Sequence, residues 1–243
     1  MSAPERRRAE LAEGLARVER RIARACEAAG RARESVTLVV VTKTYPADDV
    51  RTLVDLGVRD VAENRDQEAS AKAAACADLP LTWHFVGQLQ TNKVRSVLSY
   101  ADYVHSVDRA KLVSALSSAV TSAGRAPLNC LLQVALEKES GLGGGRGGVA
   151  PDGVGELAAA VAAAPGLRLA GLMTVAPLAG AYAGSPDAAF ERLAEIARDL
   201  RADHPAANMV SAGMSADLED AVAAGATHVR VGSAVLGVRP ALG

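Results

Sequence analysis

Only three cysteines occur in the 243 residues, Cys26, Cys76 and Cys130. They lie far apart, form no Cys-x-x-Cys pair and sit in Ala- or Leu-rich segments, where a thiol acts as a small core side chain. A disulfide scaffold is excluded, and a reduced, cytosolic protein is expected. Net charge is nearly absent: the formal value is −1 and the pI about 6.4, too little for a long-range field that gathers nucleic acid or an anionic membrane. No apolar run approaches the length of a membrane span. Glu5, Glu10 and Glu13 interrupt the Arg6-Arg7-Arg8 run and no apolar segment follows it, so neither a secretory nor a twin-arginine signal is expected. The histidines His84, His105, His204 and His228 show no metal-ligand spacing, and no Gly-x-Ser-x-Gly elbow occurs. Zinc and serine-hydrolase chemistry are set aside.

Apolar side chains are plentiful instead, at 49% of the chain, and the ten prolines and 22 glycines are spread along it. This fits one large domain with a sizeable core. Residues 5–29 put Leu11, Leu15, Val18 and Ile22 on one helical stripe, with Gly30 as the stop. Arginines from Arg17 to Arg24 alternate with Glu19 and Glu27, as on a solvated face. Short apolar runs follow at 36–42, 58–62, 82–86, 103–107, 128–136, 167–173, 208–211 and 228–231, eight candidate strands. Helical stretches with start and stop residues separate them: Pro46 at a first turn, Asp108 before Leu112 with Gly124 behind, Ser215 before Leu218 with Gly225 behind. The order predicts an α/β fold, a single-domain (β/α)₈ TIM barrel over 36–238 with an extra N-terminal helix in 1–30; a doubly wound open sheet is the alternative.

In such barrels chemistry collects where strands end, and anions bind near the loops after the seventh and eighth strands. Lys43 closes the first strand, Leu38-Val39-Val40-Val41-Thr42-Lys43. The turns Ser211-Ala212-Gly213-Met214-Ser215 and Arg230-Val231-Gly232-Ser233 end the last two. Gly213 and Gly232 let backbone N–H groups approach an anion, and the Ser215 and Ser233 hydroxyls add donors. An amine opposite an anion cradle points to a Schiff base with a phosphorylated aldehyde. A lysine must first lose a proton, which burial and a neighbouring cation such as Arg230 promote. The plainer alternatives stay open: Ser215 as a helix cap, Lys43 snorkelling to water, Arg230 in a strand-end ion pair.

Six motifs in series carry a resemblance over nearly the whole chain. They are Thr42-Lys43-Thr44-x-Pro46, Ala62-Glu63-Asn64-x-x-x-Glu68, Trp83-His84-Phe85-Val86-Gly87-x-Leu89-Gln90-x-Asn92-Lys93, Gly171-Leu172-Met173, Ser211-x-Gly213-Met214-Ser215-x-Asp217 and Val229-Arg230-Val231-Gly232-Ser233. Together they resemble the pyridoxal phosphate homeostasis proteins, relatives of the alanine racemase barrel domain. The resemblance implies that Lys43 holds pyridoxal 5′-phosphate as a Schiff base and that Arg230 faces the pyridine nitrogen. It also implies that Met214, Ser215, Gly232 and Ser233 help hold the phosphate and that Asn64 and His84 line the ring pocket; Ser211 and Gly213 are counted with the cofactor-binding residues. His84 has a structural alternative within its strand. The implied role is to bind, buffer or deliver the cofactor with little or no turnover, as a cytoplasmic monomer whose partners are PLP and PLP-dependent apo-enzymes.

Arginine at the ring nitrogen blunts the cofactor's electron sink, because it cannot give that nitrogen a proton while remaining the cation it is. Racemases with the same arginine add a base from a separate β domain, and none is expected here. A PLP-dependent amino-acid racemase is the second reading; a Schiff-base aldolase or phosphosugar enzyme is the third. Ala62, Tyr45 and Gln88 depart from the family pattern without touching Lys43. The segment 141–148 departs further. Its Gly143-x-Gly145-x-x-Gly148 formally fits a dinucleotide fingerprint, yet Glu137 to Ser140 separate it from the strand, and no carboxylate follows near Met173 and Thr174. A lid or plain loop is expected there.

Overall fold

The computed structural model describes residues 2–140 and 147–237. The strands are β1 Thr37–Val41, β2 Asp60–Glu63, β3 Thr82–Phe85, β4 Tyr103–Val107, β5 Leu128–Gln133, β6 Leu167–Met173, β7 Met209–Ser211 and β8 His228–Val231. The α-helices are α1 Ala3–Ala28, α2 Ala47–Asp55, α3 Asp66–Ala75, α4 Val94–Val97, α5 Ala110–Ala123, α6 Val154–Ala163, α7 Pro186–Asp203, α8 Leu218–Ala223 and α9 Ser233–Leu236. All eight strands run parallel and close into a ring in chain order, which decides for the barrel over the open sheet. The seam is β1 against β8, with Val39 opposite Arg230 and Val40 opposite Val231.

Period-two alternation sorts the strand side chains. Val40, Val61, Trp83, Val229 and Val231 join one aliphatic cluster under the helices, and Phe85, Val104 and Val210 join a second. Their neighbours Ala62, His84, His105, Ser211 and Arg230 take the opposite face and fill the lumen. Barrel interiors are usually packed with branched aliphatic residues. This one is polar along one side, with Leu131, Met173 and Met209 forming the apolar remainder. The three cysteines are buried and reduced, as the core reading of their segments requires.

Helix α1 opens with a capping box: the Ser2 hydroxyl accepts from the Glu5 amide at 3.4 Å, and the Glu5 carboxylate accepts from the Ser2 amide at 2.6 Å. Its stripe Leu11, Val18, Ile22 and Cys26 is buried, and Gly30 follows it at φ 64°. At Gly14 the helix comes so near α9 that a Cβ would stand 2.2 Å from the Val235 carbonyl oxygen. Arg21 clamps the far side, donating twice to Glu219 at 2.7 Å and once to the Ser215 carbonyl at 2.9 Å. The extra helix thus braces the loops that follow β7 and β8.

Strands β1, β2, β3 and β7 differ from their apolar runs by one or two residues at an end, and β1 stops at Val41, so Lys43 lies two residues past the strand it is expected to close. Three further boundaries differ for reasons the contacts show. The helix expected to open at Ser215 starts at Leu218, because the Asp217 carboxylate takes the Met214 amide at 2.6 Å and ties 214–217 into a turn. Helix α5 starts at Ala110, and the Asp108 carboxylate engages the Arg109 guanidinium instead of capping it. Strand β5 ends at Gln133; beyond it Val134 forms an isolated bridge to Val149 while its amide donates to the Met173 carbonyl at 2.8 Å. Residues 141–146, with most of the glycine-rich segment and its dinucleotide pattern, lie outside the described residues.

Candidate functional site

A cavity of about 300 Å³ opens where β1, β7 and β8 end, walled by Lys43, Tyr45, Met214, Ser215, Ala216, Arg230, Gly232 and Ser233. Lys43 reaches it from a backbone held in a strained shape. Thr44, the next residue, has φ 70°, and among the described residues it alone is a non-glycine with positive φ. A buried carboxylate and ammonium group fix this turn. The Thr42 hydroxyl donates to Glu63 Oε1 at 2.6 Å, and the Thr44 amide donates to Glu68 Oε1. Lys72 Nζ, 6% exposed as a residue, donates to the Thr42 carbonyl at 2.7 Å, Glu63 at 2.5 Å and Glu68 at 3.3 Å. Burial pushes the Glu63 carboxyl up, with Lys72 and the Thr42 hydroxyl opposing it.

Across the cavity, Gly213 sits at φ 88° and its carbonyl accepts from the Arg230 amide at 2.9 Å. A Cβ at Gly232 would press on the Val41 carbonyl oxygen at 3.1 Å, so glycine there keeps the seam closed. Among the described residues the amides of Ser215, Ala216, Ser233 and Ala234 have no hydrogen-bond partner, and the Ser233 and Ser215 hydroxyls meet at 3.4 Å. Hydroxyls and unpaired amides of this kind suit a phosphate.

Arg230 forms the inner wall. It is 4% exposed and donates to the Ser211 hydroxyl at 2.7 Å and the Thr174 carbonyl at 2.8 Å, both neutral. Among the described residues no carboxylate pairs with it, so the strand-end ion pair does not form; burial pulls its pKa down to about 10, with Asp217 opposing. Behind it the lumen holds three histidines. Burial lowers His105 well below the usual range and brings His228 to about 4.

Of the residues the sequence singles out, Lys43, Met214, Ser215, Arg230, Gly232 and Ser233 line the cavity, and Ser211 and Gly213 back it. Asn64 and His84 are not among its walls. His84 is buried in the lumen between His105, at 2.8 Å, and Asp60, at 3.0 Å. Sequence reasoning missed Lys72, His105, Thr174 and Asp60. The Glu68/Lys72 spacing of four on one helix was a signal for the first; the other contacts cross the barrel and leave no local trace. No group of three or more metal-ligating side chains occurs among the described residues, and no helix there is long and apolar enough to cross a membrane.

An amine, a buried guanidinium and an anion cradle sharing one cavity fit a phosphorylated aromatic aldehyde, and the chain's relatives point the same way. Residues 14–240 match the alanine racemase N-terminal domain family. The pyridoxal phosphate homeostasis protein of Pseudomonas aeruginosa is 44% identical over 229 residues, 94% of this chain and 96% of that one. The namesake from Mycobacterium leprae is 43% identical over 248 residues, 95% of this chain and 93% of the relative. The solved structure of PipY of Synechococcus elongatus, with PLP bound, superposes at a TM-score of 0.77 with 34% identity, covering 93% of this chain and all of that one. With its closed barrel and near full-length likeness to these proteins, the chain belongs to the pyridoxal phosphate homeostasis protein family, built on the alanine racemase N-terminal domain.

Proposed function

We propose that this protein binds pyridoxal 5′-phosphate and serves in its homeostasis, holding the cofactor rather than turning over a substrate. The observation that carries the reading is the shared cavity: Lys43, in the turn after β1, lines one hollow of about 300 Å³ with Arg230 and the Ser215 and Ser233 turns. When bound, the cofactor supplies an aldehyde carbon to an amine and a pyridine ring that withdraws electrons best with its nitrogen protonated. Lys43 Nζ is the amine that would hold that aldehyde. Ser215, Ser233 and the neighbouring amides take the phosphate, and Met214 covers it. Arg230 presents N–H donors to the ring nitrogen and stays a cation at neutral pH even with its pKa near 10. It would offer that nitrogen a hydrogen bond and no proton, so the ring would be a weak electron sink. Names of the relatives as homeostasis proteins agree with a holder of the cofactor.

The same reading takes the N-terminal helix and barrel as one PLP-binding domain, monomeric and cytoplasmic, and makes PLP-dependent apo-enzymes the recipients. Borohydride reduction of PLP-saturated protein, followed by peptide mass mapping, tests it. The adduct is expected on Lys43, and Lys43→Ala should lose the yellow absorption band. Saturated protein with Lys43 unlabelled would overturn the assignment.

A further inference from the structure

A continuous hydrogen-bond chain crosses the barrel lumen from Arg230 to Asp60. Arg230 Nη1 lies 2.7 Å from Ser211 Oγ, Ser211 Oγ 3.0 Å from His105 Nδ1, His105 Nε2 2.8 Å from His84 Nδ1, and His84 Nε2 3.0 Å from Asp60 Oδ1. Arg230 stands near the end of β8, at the cavity. Asp60 is the first residue of β2, so in a parallel barrel it stands at the opposite mouth, where its side chain is 26% exposed. His84 and His105 are almost wholly enclosed, at 1% and 0%.

The two ends dictate the direction of the protons. A guanidinium only donates, so the Ser211 oxygen accepts from Arg230 and has its own hydrogen to give. A carboxylate only accepts, so His84 must carry hydrogen on Nε2. With both rings neutral there is one solution: Ser211 donates to His105 Nδ1, His105 Nε2–H donates to His84 Nδ1, and His84 Nε2–H donates to Asp60. The opposite direction requires an imidazolium at His84, which Asp60 would pair at one end but which would put a second cation in the lumen that encloses Arg230. Tyr103 stacks on His84 with ring centres 4.7 Å apart and planes 12° from parallel, which fixes the rotation that aims each nitrogen at its partner. His228 stays outside the chain: its Nδ1 meets the Thr227 hydroxyl at 2.8 Å.

We propose that Asp60 is a positioning residue for Arg230: from the far mouth of the barrel it polarises the array His84, His105, Ser211 in a single direction. This holds the guanidinium with its remaining N–H groups turned to the cofactor cavity. The proposal deepens the cofactor reading and rests on it only for the meaning of Arg230; the proton array is a property of the chain alone.

Ring nitrogen NMR of the full-length protein without cofactor tests the array at neutral pH. His84 and His105 are expected as neutral rings with hydrogen on Nε2 only. Asp60→Ala should abolish that single-tautomer pattern at His105, a residue it does not touch, while Asp60→Asn, which keeps an acceptor oxygen, should restore it. A cationic His84 in the wild type overturns the proposal. So does a His105 pattern unchanged in a folded Asp60→Ala protein. With pyridoxal 5′-phosphate as the probe, the absorption maximum of bound cofactor should shift in Asp60→Ala and return in Asp60→Asn; an unshifted maximum overturns the positioning role. Failure of wild-type protein to bind the cofactor at all would instead sink the cofactor reading, and the tautomer result would still decide the array.

Discussion

Lys72 Nζ lies 2.7 Å from the carbonyl oxygen of Thr42, the residue immediately before Lys43. A second lysine therefore supports the first. It is buried on α3 and neutralises Glu63, whose carboxylate also accepts from the Thr42 hydroxyl. Removing one member of a buried pair leaves the other charge uncompensated, which costs about 3 to 5 kcal/mol. Lys72→Met should lose that much in urea unfolding, and the double variant Glu63→Gln/Lys72→Met should recover part of it. A loss for Lys72→Met below about 1 kcal/mol, within the range of a surface pair, would show that the cluster does not hold the turn.

Acid should weaken the fold before the carboxylates titrate. His228 is brought to about 4 in the folded protein against 6.5 when unperturbed, chiefly because it is desolvated by burial. Between those values the unfolded chain binds a proton that the folded one refuses, so stability present above pH 6.5 drains away as pH falls toward 4. One such group accounts for about 3 kcal/mol. His105, lowered for the same reason, acts in the same direction. Urea midpoints at pH 7, 6 and 5 should fall steadily, and His228→Asn should flatten the slope. A wild-type profile that is flat over this range would contradict the lowered His228 and His105.

Two glycine-to-alanine changes in helices should have opposite signs. At Gly155 nothing lies within 4 Å of an added Cβ, so alanine should stabilise by a few tenths to about 1 kcal/mol. At Gly14 the Cβ would strike the Val235 backbone, so alanine should force α1 off α9 and destabilise by about 1 to 3 kcal/mol. Because α9 begins at Ser233, Gly14→Ala should also weaken cofactor binding. Thermal unfolding with and without PLP reads both effects.

Phosphate recognition should be divided between the two serine turns. Ser215→Ala and Ser233→Ala each remove one donor to a charged oxygen, worth about 1.5 kcal/mol and so roughly tenfold in affinity. Fluorescence titration with PLP measures this. Equal affinity in both variants would place the phosphate elsewhere.

Amino-acid turnover should stay below about 1 s⁻¹, the lower end of ordinary enzymes. A racemase assay on PLP-loaded protein at or above that rate would mean that some side chain supplies a catalytic base.

Much of this architecture could be read along the chain. β4, β6 and β8 have the limits their apolar runs mark, Arg230 stands one residue from the end of β8, and Lys43 follows β1 by two residues, in the turn rather than on the strand. Local chemistry was enough for these, since a strand announces itself over a few residues. Ser215 misled because its cap pattern is local too, but Asp217 competes for the same turn and wins with a carboxylate. His84 misled differently. Its place on β3 was legible, but its partners come from β2 and β4, and only barrel closure and register decide that they meet. Lys72 belongs to the same class, a polar residue whose role depends on what packs above its helix.

The Val39 and Arg230 register makes the site a junction between the first and last strands of the ring. A nascent chain still lacking its final strand has the amine but neither the guanidinium nor the second serine turn. On the proposed site, cofactor capture would wait for completion of the ring, and the small molecule would act as a clasp between the first and last strands that favours only finished copies.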